Sequence, residues 1–292
     1  MPQPQPLEVG KGKTIMVYGV PGAGKTRYLV GTSPKCLIIR PPDDHTDSIA
    51  PGADCEELIV EDWSGMFETF AWLQQGAAKD YKWVWLDSIS LMQDRLLEDV
   101  VTDMLIRRPD LAMDKAGESK ERERWVELKE KGVVVPEYGP DKGEYKINFE
   151  RLARWVRDMT GLAKAGAFNF GITAHPIEWY DPTLEEDVWA PWVQGKNMIP
   201  KICGYMNIVA YLQEQKGESS KPGQRVLMVD QKGFMGKDQL FCFPELKSGR
   251  HGIIDPTGDK LIKAIKGSSV KPASEAAPSS KKRPRKVVRR RK

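Results

Sequence analysis

Residues 14–30 read TIMVYGVPGAGKTRYLV, and the fold class follows from how this stretch divides. Ile15, Met16, Val17 and Tyr18 make an apolar run suited to a buried strand. Gly19, Val20, Pro21, Gly22, Ala23 and Gly24 form a glycine-rich turn. Lys25, Thr26 and Arg27 open a segment that continues to Val30 as helix. Gly19, Gly24, Lys25 and Thr26 fit the pattern G-x-x-x-x-G-K-[ST]. Glycines at both ends let the backbone wrap closely, so that its N–H groups converge on an anion. The helix that follows points its positive end at the same spot. Residues 19–27 are therefore the candidate segment for the phosphates of ATP. Lys25 is expected to reach the β- and γ-phosphates, and Thr26 to offer its hydroxyl to Mg²⁺.

Two further strand ends carry polar side chains. In KWVWLDSIS, residues 82–90, Asp87 ends an apolar run. A carboxylate at this position, about 60 residues after such a loop, is a candidate Mg²⁺ ligand, with Ser88 beside it. In FNFGITAHP, residues 168–176, His175 ends a second apolar run. Open α/β sheets bind ligands at the carboxyl ends of their strands, which makes His175 a candidate sensor of the γ-phosphate.

Apolar runs bounded by turn residues predict strands at 14–19, 36–40, 57–60, 83–87 and 168–174. Helical patterns fall between them. In SGMFETFAWLQQ, Ser64 is placed to cap a helix whose inner face is Met66, Phe70 and Leu73. A long amphipathic helix follows residue 88, and another in NFERLARWVRDMTGLAK carries the stripe Phe149, Leu152, Trp155, Met159 and Leu162. Alternating strands and helices predict an α/β fold, with a mainly parallel central sheet and helices on both faces. Runs at 206–213, 225–230 and 240–243 lie too close together for crossover helices. They predict antiparallel strands added at the C-terminal edge.

The chain has 292 residues, 40% of them hydrophobic and 29% charged, proportions ordinary for a soluble globular protein. No apolar run approaches the roughly 20 residues of a membrane helix, and MPQPQPLEVGKGK is no signal peptide. Cys36, Cys55, Cys203 and Cys242 form no C-x-x-C pair, so neither a zinc site nor a disulfide framework is indicated. A cytoplasmic location is the expectation. Residues 267–292 hold ten Lys or Arg and one Glu, a net +9; with +4 on the whole chain, residues 1–266 carry −5. The division expected is a flexible segment over 1–12, one nucleotide-binding domain over 13–266 and a disordered basic tail over 267–292. The tail cations Lys281, Lys282, Arg283, Arg285, Lys286, Arg289, Arg290, Arg291 and Lys292 are the footprint of a polyanion binder. A nuclear-import signal and a solubility appendage are the rival readings of that block.

Taken in order and spacing, YGVPGAGKT, WVWLDSIS, GITAHP, VQGKNMIPKICGYMNIVAYL and FCFPELKSGRHGIIDPTG resemble the RecA-like P-loop ATPases. Within these, the chain is most similar to phage RecA-like ATPases that promote single-strand DNA annealing and recombination. The resemblance covers about residues 13–258. It implies ATP and Mg²⁺ at Lys25, Thr26 and Asp87, a γ-phosphate sensor at His175, and a homo-oligomer, ring or filament. It makes Lys247 and Arg250 candidate cationic fingers for a neighbouring subunit's nucleotide. Single-stranded DNA is the implied partner, with a single-strand-binding protein as a further one. RecA-like ATPases place a catalytic glutamate just after the second strand. Here the segment reads CLIIRPPDDHTDS, and Asp43 and Asp44 are the carboxylates nearest that place.

DNA contacts are expected in two regions. Trp179, Tyr180, Trp189 and Trp192 are candidates for base stacking and Lys196 for a phosphate, although the acidic stretch DPTLEED lies among them. The other region, DKAGESKERERWVELKEK, reads as a solvated helix. The expected activity is ATP hydrolysis, slow or DNA-stimulated, by a protein that binds single strands and promotes annealing. Alternatives are a small-molecule or nucleoside kinase, an AAA+-type loader, or a nucleotide-dependent scaffold.

Overall fold

The computed structural model describes residues 11–44, 47–107, 142–166, 168–195, 197–215, 223–230 and 233–267. Its first strands are β1 (Thr14–Tyr18), β2 (Cys36–Arg40), β3 (Cys55–Ile59), β4 (Trp83–Leu86) and β5 (Asn169–Ala174). A hairpin of β6 (Pro176–Asp181) and β7 (Glu186–Pro191) follows. Then come β8 (Ile208–Gln215), β9 (Gln224–Met228), β10 (Lys237–Asp238) and β11 (Gly252–Ile254). The helices are α1 (Trp63–Gln74), α2 (Ile89–Arg107), α3 (Lys142–Lys164), α4 (Met198–Tyr205) and α5 (Gly258–Gly267). A shorter, π-type helix spans Lys25–Val30.

The central sheet runs β11-β9-β8-β1-β5-β4-β2-β3, with β10 paired to β8. From β8 to β3 every pairing is parallel; β9, β10 and β11 are antiparallel additions. β1 is buried along its whole length between two parallel neighbours, with Val17 opposite Thr173 on one side and Ala210 on the other. A strand covered on both faces has no need of a polar alternate position, which is why IMVY runs unbroken.

Each face of the sheet has its own core. Met16, Tyr18, Ile39, Leu86 and Phe170 pack with Met66, Leu96, Trp155 and Ile202 of α1 to α4. On the opposite face Ile15, Val17, Ile38, Trp83 and Trp85 pack with Leu29 and Val30 of the short helix and Leu261 of α5. Each of these large side chains contributes about 1.5–3 kcal/mol by leaving water. The indoles of Trp83 and Trp85 stack at 5.1 Å. Gly171 makes room for them, since a Cβ there would lie 2.2 Å from the Trp85 ring.

The α/β expectation, with a mostly parallel sheet, helices on both faces and antiparallel strands at one edge, holds in the structure. Three local readings differ. The 206–213 run is not an antiparallel edge strand: α4 turns the chain, so that β8 enters parallel to β1. The 240–243 run is not a strand. The Asp238 carboxylate accepts from the backbone N–H groups of Leu240, Cys242 and Phe243, folding that segment into a turn, and Gly252–Ile254 pairs with β9 instead. The cap of α1 is Asp62, whose carboxylate accepts from Gly65 N–H at 2.7 Å, two residues before the expected Ser64. The stripe of α3 is inward as expected, with Leu152, Trp155 and Met159 buried, although the helix starts at Lys142. All four cysteines are free thiols. Among the described residues no helix is long and apolar enough to cross a membrane.

Candidate functional site

The site begins where β1 ends. Gly19 sits so close to β8 that a Cβ would lie 2.3 Å from the Leu212 carbonyl oxygen, and Gly24 has a left-handed φ of 93°. Both positions therefore exclude side chains, for two different reasons. The loop between them delivers Lys25, whose ammonium donates to the Gly19 carbonyl at 2.7 Å and the Val20 carbonyl at 3.3 Å. Lys25 is buried, and burial lowers its pKa, while Asp87 and Asp44 act to hold the charge.

Asp87 follows β4, two strands from β1. Its Oδ2 accepts from the Thr26 hydroxyl at 2.6 Å, and its Oδ1 accepts from the Thr173 hydroxyl of β5. Burial raises the Asp87 pKa, against the two hydroxyls; Asp44 adds to the rise and Lys25 opposes it. The Ser88 N–H donates to Asp44 Oδ2 at 3.1 Å. His175 follows β5, its N–H donating to Ser90 Oγ at 2.9 Å and its carbonyl accepting from Trp192 N–H at 2.7 Å. Burial and then Lys25 lower the His175 pKa, with Asp87 opposing, which favours the neutral imidazole.

These groups face one cavity of about 380 Å³ at the carboxyl ends of the central strands. It is lined by Gly22, Gly24, Lys25, Thr26 and Arg27 from the loop, and by Asp44, Asp87, Ser88 and His175. Such a crevice, at the point where the strand order reverses about β1, is the usual ligand position in open α/β sheets. A glycine-rich loop that lines the cavity beside a buried ammonium suits a polyphosphate. Among the described residues no group of three or more His, Cys, Asp or Glu could hold a metal alone. Thr26 and Asp87 instead suit Mg²⁺, which needs only one or two protein oxygens when phosphate and water complete its octahedron.

The other expected residues are distributed differently. Asp43 is exposed and does not line the cavity. Val20 is 46% exposed and Ala23 is buried, so these two shape the loop from outside the cavity. Lys247 and Arg250 lie in the turn closed by the Glu245–His251 bridge, and neither lines the cavity. Trp179 is half-buried, pairs with Val188 across the β6–β7 hairpin and packs on the core, whereas Tyr180 (56%) and Trp189 (41%) are exposed. Trp192 is half-buried, its ring 6.3 Å from that of His175. Lys196, residues 114–131 and the tail cations lie outside the described residues.

No protein-family model matches this chain, and no curated protein matches it. The site has therefore to be read from its own chemistry. Ser48, Thr173, Tyr28 and Arg225 escaped the sequence reading. Thr173 had a visible signal, a hydroxyl inside the apolar run FNFGITA. Tyr28 and Arg225 had none, since Arg225 reaches the cavity from β9, about 200 positions beyond the loop.

Proposed function

We propose that the protein is a RecA-like P-loop ATPase that binds ATP·Mg²⁺ in this cavity, and that it binds single-stranded DNA as an oligomer to promote annealing. The observation that carries the reading is the 2.6 Å contact between Thr26 and Asp87 beside the buried ammonium of Lys25. A hydroxyl from the short helix after the loop and a carboxylate from the end of β4 meet beside the glycine-rich loop, a pairing suited to a magnesium seat next to a phosphate cradle.

Each residue has a task in that reading. Lys25 neutralises phosphate charge where burial has removed competing water. Thr26 and Asp87 hold Mg²⁺, which supplies charge neutralisation at the phosphate oxygens. Asp44, fixed by the Ser88 N–H, is the carboxylate positioned to orient water for attack. His175 donates a ring N–H to the terminal phosphate. Lys247 and Arg250, away from their own cavity, serve a neighbouring subunit. The exposed Tyr180 and Trp189 and the basic tail contact DNA.

The test is ATPase activity with and without single-stranded DNA. Stimulation by DNA is the expected result. Absence of ATP binding, or phosphoryl transfer to a nucleoside rather than to water, would overturn the reading.

A further inference from the structure

The sheet order separates the two ends of the cavity. Asp87 and His175 stand on the β4 and β5 side of β1, whereas Arg225 comes from β9, on the opposite side beyond β8. The loop after β1 lies between them. A triphosphate whose terminal phosphate and magnesium sit at Thr26 and Asp87 must therefore extend its nucleoside toward the β9 side. We infer that Tyr28 and Arg225 form the nucleoside-facing wall of the cavity, stacking the base and favouring purine over pyrimidine nucleotides. This inference rests on the nucleotide reading above.

Both side chains are held for that task. The Arg225 guanidinium lies 4.4 Å from the Tyr28 ring centroid, and its Nε donates to the Ala23 carbonyl at 3.2 Å. Its backbone is pinned on both sides by Asp255, which accepts from Arg225 N–H at 3.2 Å and donates its own N–H to the Arg225 carbonyl at 2.7 Å. Glu214 approaches the guanidinium at 4.0 Å, so the charge is steadied from the sheet side. Tyr28 N–H donates to the Gly24 carbonyl at 2.8 Å, and its ring lies across Gly24 so closely that a Cβ there would meet it at 2.3 Å. The glycine at the end of the loop thus seats the Tyr28 ring as well as satisfying a left-handed turn. A planar guanidinium on an aromatic ring is a rigid, flat stack. The Arg27 guanidinium approaches the same ring at 5.4 Å, and against this cationic and aromatic wall a purine covers more surface than a pyrimidine does.

The experiment compares equilibrium binding of ATP, CTP and inorganic tripolyphosphate, each with Mg²⁺. Wild-type protein should bind ATP more tightly than CTP, and both more tightly than tripolyphosphate. Tyr28→Ala and Arg225→Lys, the second keeping the charge but losing the plane, should weaken ATP about tenfold. They should weaken tripolyphosphate far less than ATP, because Lys25 and Thr26 of the phosphate cradle are kept. That retained affinity also reports an intact loop. Tyr28→Phe, which keeps the ring, should bind ATP as wild type does. If wild type binds ATP and tripolyphosphate equally, or the variants weaken both ligands alike, the wall is wrongly assigned while the phosphate site stands. If wild type binds neither ligand, the nucleotide reading falls and this inference falls with it.

Discussion

The backbone N–H of Ser88 donates to the Asp44 carboxylate at 3.1 Å, tying the segment after β2 to the residue next to Asp87. Arg40 adds a second tie, its guanidinium donating to the Asp44 carbonyl at 2.6 Å. These bonds choose between two adjacent aspartates: Asp44 lines the cavity, while Asp43 faces solvent. Asp44→Asn should therefore cut ATP turnover by about 10²-fold with modest change in KM, the scale of a missing water-orienting base. Asp43→Asn should stay near wild type. Steady-state kinetics of the two variants decides the matter, and equal losses would remove the distinction.

Asp87→Asn should abolish Mg²⁺-dependent turnover by removing the carboxylate from the metal seat. It should also change stability in a definite direction. Because burial raises the folded-state pKa of Asp87, the folded protein binds more protons than the unfolded chain between the ordinary Asp range and that raised value. Stability without ligand falls as pH rises through this window, and above it the whole penalty remains. Asparagine carries no such penalty, so without Mg²⁺ the variant should melt above wild type at pH 7. Near pH 3, where the carboxyl is protonated in both states, the gap should close. A gap that widened toward low pH would contradict the assignment. For the same reason, Mg²⁺ must displace a proton from Asp87 on acidification. Wild-type affinity for ATP·Mg²⁺ should begin to fall at a higher pH than an ordinary aspartate would dictate.

The Arg250 guanidinium donates to the Met228 sulfur at 3.7 Å and lies off its own cavity. A finger acting across a subunit interface stabilises charge in the transition state rather than in the bound ground state. Arg250→Ala should keep ATP affinity within about threefold and lose roughly 10²–10³-fold in turnover, below the largest finger effects. Lys247→Ala, at a more exposed position of the same turn, should lose less. Lys25→Ala protein should lose nucleotide affinity but retains Arg250, so mixing it with Arg250→Ala should restore part of the activity. Mixtures that co-assemble without recovery would exclude a trans finger.

Truncation after residue 266 should spare basal ATPase activity while weakening single-strand binding most at low salt. Every phosphate that the tail no longer neutralises lowers the log–log salt slope by about 0.7. Fluorescence anisotropy of a labelled oligonucleotide across a salt series measures this. An unchanged slope would leave the nine cations of residues 281–292 to an import signal or an inert appendage.

Much of the architecture was legible because it is local. The unbroken run of β1, the glycines at 19 and 24, the stripe of α3 and the polar ends of β4 and β5 are each contained in a short window, and each has one physical cause. Errors arose where a window admits two solutions. FCF at 241–243 is apolar enough for a strand, but Asp238 offers its backbone N–H groups a nearer carboxylate. Trp179 and Tyr180 are neighbours in sequence, and only the hairpin register turns the first toward the core and the second toward water.

By itself the sequence determined the α/β class, the glycine-rich loop after β1, and Asp87 and His175 at strand ends, since periodicity and turn chemistry act over a few residues. Only the tertiary structure decided which residues share the cavity. Parallel pairing brings β5 and β8 against β1 and places β4 beyond β5, so that Thr173 and Asp87 meet across 86 positions. The fold also selects Asp44 over Asp43, and the antiparallel pairing of β9 with β8 carries Arg225 back to Tyr28. Such encounters depend on the order of strands in the sheet. That order is set by the burial of whole faces against one another, which no short stretch of residues encodes.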